Sequence, residues 1–199
     1  MQHADRDFAI KTRRRLHQFP ELSFKEYKTA EFIRRTLDEL GIPWQAVGET
    51  GTYGWIEGKG AGSKKVLLRA DIDGLPVQEK TGLPFASCHE GVMHACGHDI
   101  HTAALLAAAK RLAELRDSFG GTVLLAFQQA GEQGHGALLF REAGLTRGYD
   151  RAFGIHIAPD WPLGTVVLSE KEDAPCCEFF RLRVTGKKSH ISKPGFFKV

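Results

Sequence analysis

The densest chemistry in the chain lies in His94-Ala95-Cys96-Gly97-His98-Asp99-Ile100-His101. A thiol and an imidazole two residues apart, just ahead of a helical pattern, can point at one metal ion. The partial positive charge of a helix N-terminus favours the thiolate form of such a cysteine. Cys and His ligands suit Zn, with Mn, Co or Ni as further options. Asp99 either orients a ligand histidine or caps the helix. Taken alone, a C-x-H spacing is a weak signal, equally compatible with a buried cysteine flanked by surface histidines.

Other candidate ligands follow strand-like runs. Asp71 and Asp73 come after Val66-Leu67-Leu68, Glu132 after Thr122 to Phe127, and His156 after Ala152 to Ile155. Groups just past the carboxyl ends of parallel strands lie where α/β sheets bind ligands. Three successive strands therefore bring Asp, Glu and His towards the sheet edge that Cys96 and His98 should also face.

The elements that must position these groups are readable in outline. A helix is predicted from about Asp7 to Phe19, stopped by Pro20. Ser23 and Glu26 have the spacing of a capping box. They precede an apolar stripe through Tyr27, Ala30, Ile33, Leu37 and Leu40, which Gly41 and Pro43 terminate. Tyr53 to Ile56 is a weak strand. Helices are predicted over Ile100 to Leu115 and Ala137 to Ala143, and further strands over Thr165 to Leu168 and Phe179 to Val184. Alternating strands and helices give an α/β fold, a mostly parallel sheet covered by helices.

The chain has 199 residues, 42% hydrophobic and 26% charged, which excludes wholesale disorder and fibrous repeats. At roughly 150 residues per domain, this length suggests one domain and part of a second. A formal charge of +3 does not call for nucleic acid as a partner. Arg13-Arg14-Arg15 reads as a solvated helix face. The longest small-apolar run, Ala103 to Ala109, is far short of the ~20 residues that span a bilayer, so no membrane partner is expected. Four cysteines, two of them adjacent, and no apolar leader segment suggest a reducing, cytoplasmic setting. Cys88, Cys176 and Cys177 read as incidental thiols, and Trp44, Trp55 and Trp161 as packing residues.

Longer stretches carry a resemblance. They include R-R-R-L-H-Q-F-P-E-L-S-F-K-E from Arg13, R-A-D-I-D-G-L-P-V-Q-E from Arg69 and G-V-M-H-A-C-G-H-D-I-H-T-A from Gly91. F-Q-Q-A-G-E-Q-G-H-G-A from Phe127 and G-I-H-I-A-P from Gly154 complete the set. In order and spacing the sequence resembles the amidohydrolase branch of the zinc-peptidase/aminoacylase superfamily, which includes hippurate hydrolases and N-acyl-amino-acid deacylases. The resemblance implies a zinc-exopeptidase-like catalytic domain over residues 1–177 and the start of an α+β dimerisation or lid domain over 178–199. It implies Cys96 (as the bridging ligand), His98, Glu132 and His156 as ligands of two divalent ions, Zn or Mn, with Asp73 supporting them. His190 would reach the substrate carbonyl oxygen. The implied substrate is a small N-acyl amino acid or peptide, and the implied assembly is a homodimer.

Two departures qualify that picture. Where the family has two consecutive glutamates, this chain has Gly131 and Glu132, so the position of the general base holds glycine. Gln129 also replaces a proline. The chain is moreover about half as long as family members. A catalytically impaired fragment or pseudoenzyme that at most binds metal is therefore the alternative function. In such a fragment dimerisation would be in doubt, and a sheet edge should lie uncovered.

Overall fold

A computed structural model describes residues 3–168 together with 182, 183, 185 and 186. Two helices open the chain, α1 (His3–Gln18) and α2 (Tyr27–Glu39). Three strands follow, β1 (Trp44–Val47), β2 (Gly51–Glu57) and β3 (Gly60–Asp71). Next come α3 (His98–Glu114), β4 (Gly120–Gln128), α4 (Gly136–Glu142) and β5 (Arg151–Gly154). The strands form one five-stranded sheet in the order β1-β2-β4-β3-β5.

The α/β reading holds, and the sheet is mixed. β3 runs parallel to both β4 and β5, whereas β1–β2 and β2–β4 are antiparallel. β1 is not foreseen in the sequence, because four residues without alternation give no period. It forms because the turn after Val47 folds it back onto β2, pairing Val47 with Gly51. Thr165 to Leu168 carries no strand, because no described segment pairs with it. Phe179 to Val184 lies outside the described residues except Leu182 and Arg183, which are in no strand.

Side chains alternate across β4. Leu125 and Phe127 face α2 and α3, packing with Ile33, Leu37, Ile72, Leu106 and Ala109. Leu124 and Ala126 face the other way, towards Val47, Tyr53, Leu67 and Phe140. This period-2 split buries both faces of the central strands. The small residues of α3 let it lie close to α1 and the sheet, and Ala103, Ala107 and Ala109 are buried.

Arg13, Arg14 and Arg15 do more than solvate a helix face. Arg13 and Arg14 each stack on Phe85, and Arg15 stacks on Phe19 and Phe32. Trp161, expected to pack, is more than half exposed. All four residues of β5 are exposed, and its outer edge has no partner among the described residues. No helix of the described residues is long and apolar enough to cross a membrane. The chain divides into a compact unit spanning residues 1–163, which holds the whole sheet, and a second unit over 164–199.

Candidate metal centre

Parallel pairing decides where the site forms. Asp71 is level with Gln128 across β3–β4, and Arg69 with Gly154 across β3–β5. The three strands therefore end at one edge, and the segments beyond them carry Asp73, Glu132 and His156 to the N-terminus of α3. Gly97 makes the turn between Cys96 and His98 possible. Its φ is +87°, and a side chain there would collide with that of Ile157.

His98 is buried and fixed in orientation. Its Nδ1 donates to Asp73 Oδ1 at 3.0 Å, which turns Nε2 towards Glu132 Oε1, 3.5 Å away. Burial lowers the His98 pKa, but the bond to Asp73 and the charges of Asp71, Asp73 and Glu132 outweigh it and raise the value. Asp73 acts as the hub of this edge. Its Oδ1 also accepts from the Gly131 backbone N–H (3.0 Å), and its Oδ2 from Glu132 N–H (3.0 Å) and Ser23 Oγ (2.6 Å). Burial pushes the Asp73 carboxyl up, yet these donors hold it below its ordinary value.

Cys96 Sγ lies 3.3 Å from His156 Nε2, and His156 Nδ1 donates to the Ile157 carbonyl at 2.8 Å. One donor atom each from Cys96, His98 and His156 falls within 4.8 Å of the others, so this trio could hold a metal ion. The structure corrects the expected ionisation of Cys96. Burial first, and then the Glu132 carboxylate, push the thiol up to about 12. Burial, joined by the nearby carboxylates, outweighs the partial charge of the helix end, and a bound cation would favour the thiolate here. Glu132 Oε1 is a buried oxygen without a hydrogen-bond partner. Its close counter-charge is His98 Nε2 at 3.5 Å, longer than an ordinary hydrogen bond, which leaves the oxygen open to a closer cation. Both observations fit a divalent ion held by Cys96, His98, Glu132 and His156.

Asp71, His98 and His101 form a second group of suitable residues. Its Asp71 and His101 atoms are already engaged. His101 Nδ1 donates to Asp71 Oδ1 at 2.7 Å, and His101 Nε2 accepts the Ile157 N–H at 3.0 Å. Asp71 Oδ2 pairs with Arg69 at 2.8 Å. Burial raises the Asp71 pKa, but His101, Arg69 and His98 together hold it far below the carboxylate range. This trio is therefore a support that ties the end of β3 and the first turn of α3 to the loop carrying His156.

Asp99 points away from the Cys96 trio and caps no helix. Its Oδ2 lies 2.8 Å from both His17 Nδ1 and Arg13 Nε, and His17 Nε2 reaches Glu79 at 3.2 Å. His94 is buried close by with neither ring nitrogen bonded, and burial pushes it down to about 4, so it stays neutral. The Asp99 hydrogen bond raises the His17 pKa above 6.5. Stability from that protonated ring is full below pH 6.5 and fades as pH rises through the folded value. Asp99 is depressed by the same bond against its burial, so its contribution is present above its ordinary pKa of 3.8 and fades only in acid. His17→Asn is accordingly expected to cost about 1.5 kcal/mol at pH 6 and clearly less at pH 9. Chemical denaturation at the two pH values checks this, and an equal cost at both would remove the charged pair.

Of the expected site residues, Cys96, His98, Glu132, His156 and Asp73 converge. Gly131 lies against Asp73 but presents no side chain, and His190 lies outside the described residues. Ser23 and Glu26 as site supports are not foreseen in the sequence, whereas His101, expected on the helix surface or behind the ligands, is buried in the supporting place. Those roles are long-range, and no local spacing announces them.

Residues 67–193 match the model of peptidase family M20/M25/M40. The chain is 46% identical over 186 residues to N-acetyl-L-cysteine deacetylase of Bacillus subtilis, covering 93% of this chain and 44% of that protein. It is 43% identical over 192 residues to thermostable carboxypeptidase 1 of Saccharolobus solfataricus, covering 94% of this chain and 49% of the relative. The chain thus spans about half the length of the curated relatives it matches. Among solved structures, the Bacillus subtilis YXEP protein, described as a dinuclear metal binding peptidase, superposes with a TM-score of 0.78 at 44% identity. That match covers 82% of this chain and 46% of the other.

Proposed function

Because the chain belongs to peptidase family M20/M25/M40, we propose that the cluster at the ends of β3, β4 and β5 is the metal centre of an amidohydrolase. Cys96, His98, Glu132 and His156 would hold divalent ions, two of them, Zn or Mn. The substrate class is an N-acyl amino acid or small peptide, in keeping with the deacetylase and carboxypeptidase names of the relatives. The observation that carries this reading is the buried oxygen of Glu132, which accepts no hydrogen bond and lies 3.5 Å from His98 Nε2, beside the Cys96–His156 pair.

Bound ions supply polarisation of the acyl carbonyl and a water acidic enough to attack it at neutral pH. The chain's own residues do the positioning. Asp73 fixes the His98 ring through Nδ1 and the Glu132 backbone through its N–H. His101 holds the backbone next to His156 through Ile157. Proton removal from the attacking water needs a base, and position 131 offers none. A positioned general base contributes about 10²–10⁴-fold, so turnover by this chain should be low.

The test is release of free amino acid from N-acetyl and N-benzoyl amino acids by the metal-loaded chain. Slow release abolished by a chelator supports the proposal. No release from any acyl amino acid at full metal loading would leave a protein that binds metal without turning over substrate, the second reading that Gly131 favours. A lid function for residues 178–199 beyond a catalytic part at 1–177, substrate contact by His190, homodimer formation and a cytoplasmic location belong to the same proposal.

A further inference from the structure

The loop that brings Glu132 to the site is pinned at every residue. Gln128 Oε1 accepts from Arg69, and Gln129 Nε2 donates to the Val47 carbonyl. Gly131 and Glu132 donate their N–H groups to Asp73. Between them, the N–H of Ala130 donates to Glu26 Oε1 at 2.8 Å. Glu26 is fully buried, and its second oxygen accepts from Thr50 Oγ1 at 2.7 Å. Three residues earlier, Ser23 Oγ donates to Asp73. One short segment thus holds both anchors of the loop.

Neither side chain caps α2 in the way the sequence spacing suggests. The carboxylate of Glu21 does so, accepting from Lys28 N, Thr29 N and Thr29 Oγ1. Ser23 and Glu26 are thereby free for the loop. Backbone conformation marks the same two places. Among the described residues, Phe24 (φ 62°) and Ala130 (φ 50°) are the non-glycine residues with positive φ. Phe24 lies between Ser23 and Glu26, and Ala130 is the residue Glu26 holds. Backbone in this region persists only where its surroundings impose it, and such residues cluster at functional sites.

We propose that Glu26 and Ser23 are positioning residues that hold Ala130 and Asp73, and through them Glu132 and His98, in the arrangement that receives metal. The metal part of this inference rests on the reading given under Proposed function. The loop part stands on geometry alone.

The test uses the 199-residue chain with Glu26→Ala, Glu26→Gln, Ser23→Ala and the control Ile33→Val, which weakens the core away from the loop. Zinc affinity is measured by competition with a chromophoric chelator. Amide hydrogen exchange at Gly131 and Glu132 is measured on the metal-free chain. Glu26→Ala should weaken zinc binding ~10–100-fold, the usual cost of losing a residue that supports a ligand. It should also speed exchange at Gly131 and Glu132 at least tenfold beyond the change in β2. Glu26→Gln keeps an acceptor for Ala130 and should stay within about fivefold of the parent in affinity, and Ser23→Ala should fall between the two. If the parent chain takes up no zinc, the metal reading fails, while the exchange rates still decide the loop clamp. Exchange at Gly131 and Glu132 that rises no more in Glu26→Ala than in Ile33→Val would overturn the inference.

Discussion

Glu132→Ala is expected to lower zinc affinity more than ~100-fold while changing the stability of the metal-free chain little. Both effects follow from the surroundings of one oxygen. Glu132 Oε1 is buried without a hydrogen bond, 3.5 Å from His98 Nε2, at an edge that already holds the carboxylates of Asp71 and Asp73. In the metal-free chain the cost of an unsatisfied buried oxygen, about 1–3 kcal/mol, is offset by its attraction to His98, whose pKa Glu132 helps to raise. Alanine removes the cost and the attraction together with the proposed metal-binding oxygen, and the Glu132 backbone bond to Asp73 survives any side chain. Loss of a supporting residue already costs 10–100-fold in metal affinity, and a direct ligand should exceed that. The same change should lower the Cys96 pKa from about 12, because Glu132 is the largest cause after burial holding it up. Chelator competition, denaturant unfolding of the metal-free protein and the pH dependence of Cys96 alkylation read the three effects. Unchanged zinc affinity would sink the assignment of Glu132 as a ligand.

Gly131→Glu should not simply restore a base. A Cβ at this position falls 2.9 Å from Asp71 Cβ and 3.2 Å from Asp73 Oδ1, so Asp71 must shift to admit it. Asp71 is held on both oxygens, by His101 and Arg69, and does not move cheaply. Overpacking of this kind costs about 1–3 kcal/mol. The added carboxylate also joins three others. We expect Gly131→Glu to lower unfolding stability by that amount and to raise turnover by less than ~10-fold, against the 10²–10⁴-fold of a well-placed base. Gly131→Ala separates the causes, since it brings the same Cβ without the charge. Amino acid release and denaturant midpoints of both variants give the answer, and a rise of 100-fold or more in turnover would show that the site accommodates a base after all.

Much of the site was legible because its residues follow strands directly. Val66 to Leu68, Thr122 to Phe127 and Ala152 to Ile155 each read as a strand, and their parallel pairing was the step that made Asp73, Glu132 and His156 neighbours. The antiparallel half of the sheet was less legible. β1 has no alternation of its own and exists through its pairing with β2. The capping box at Ser23 and Glu26 shows how a correct spacing can mislead. The residue types suit a cap, but Asp73, Ala130 and Thr50 are competing partners that sequence proximity does not reveal.

The α/β class, the candidate ligands and the glycine at position 131 follow from residue type, period and order, which are local properties of the chain. Which of the candidate ligand atoms stay free is a matter of packing. The fold engages both nitrogens of His101 and both oxygens of Asp71, and it leaves one oxygen of Glu132 without a hydrogen bond. It also set the ionisation of Cys96 against the helix-end expectation. The reason is that hydrogen bonds and charges act through space. Glu26 meets Ala130 across more than a hundred residues of chain, and Cys96 meets His156 across sixty.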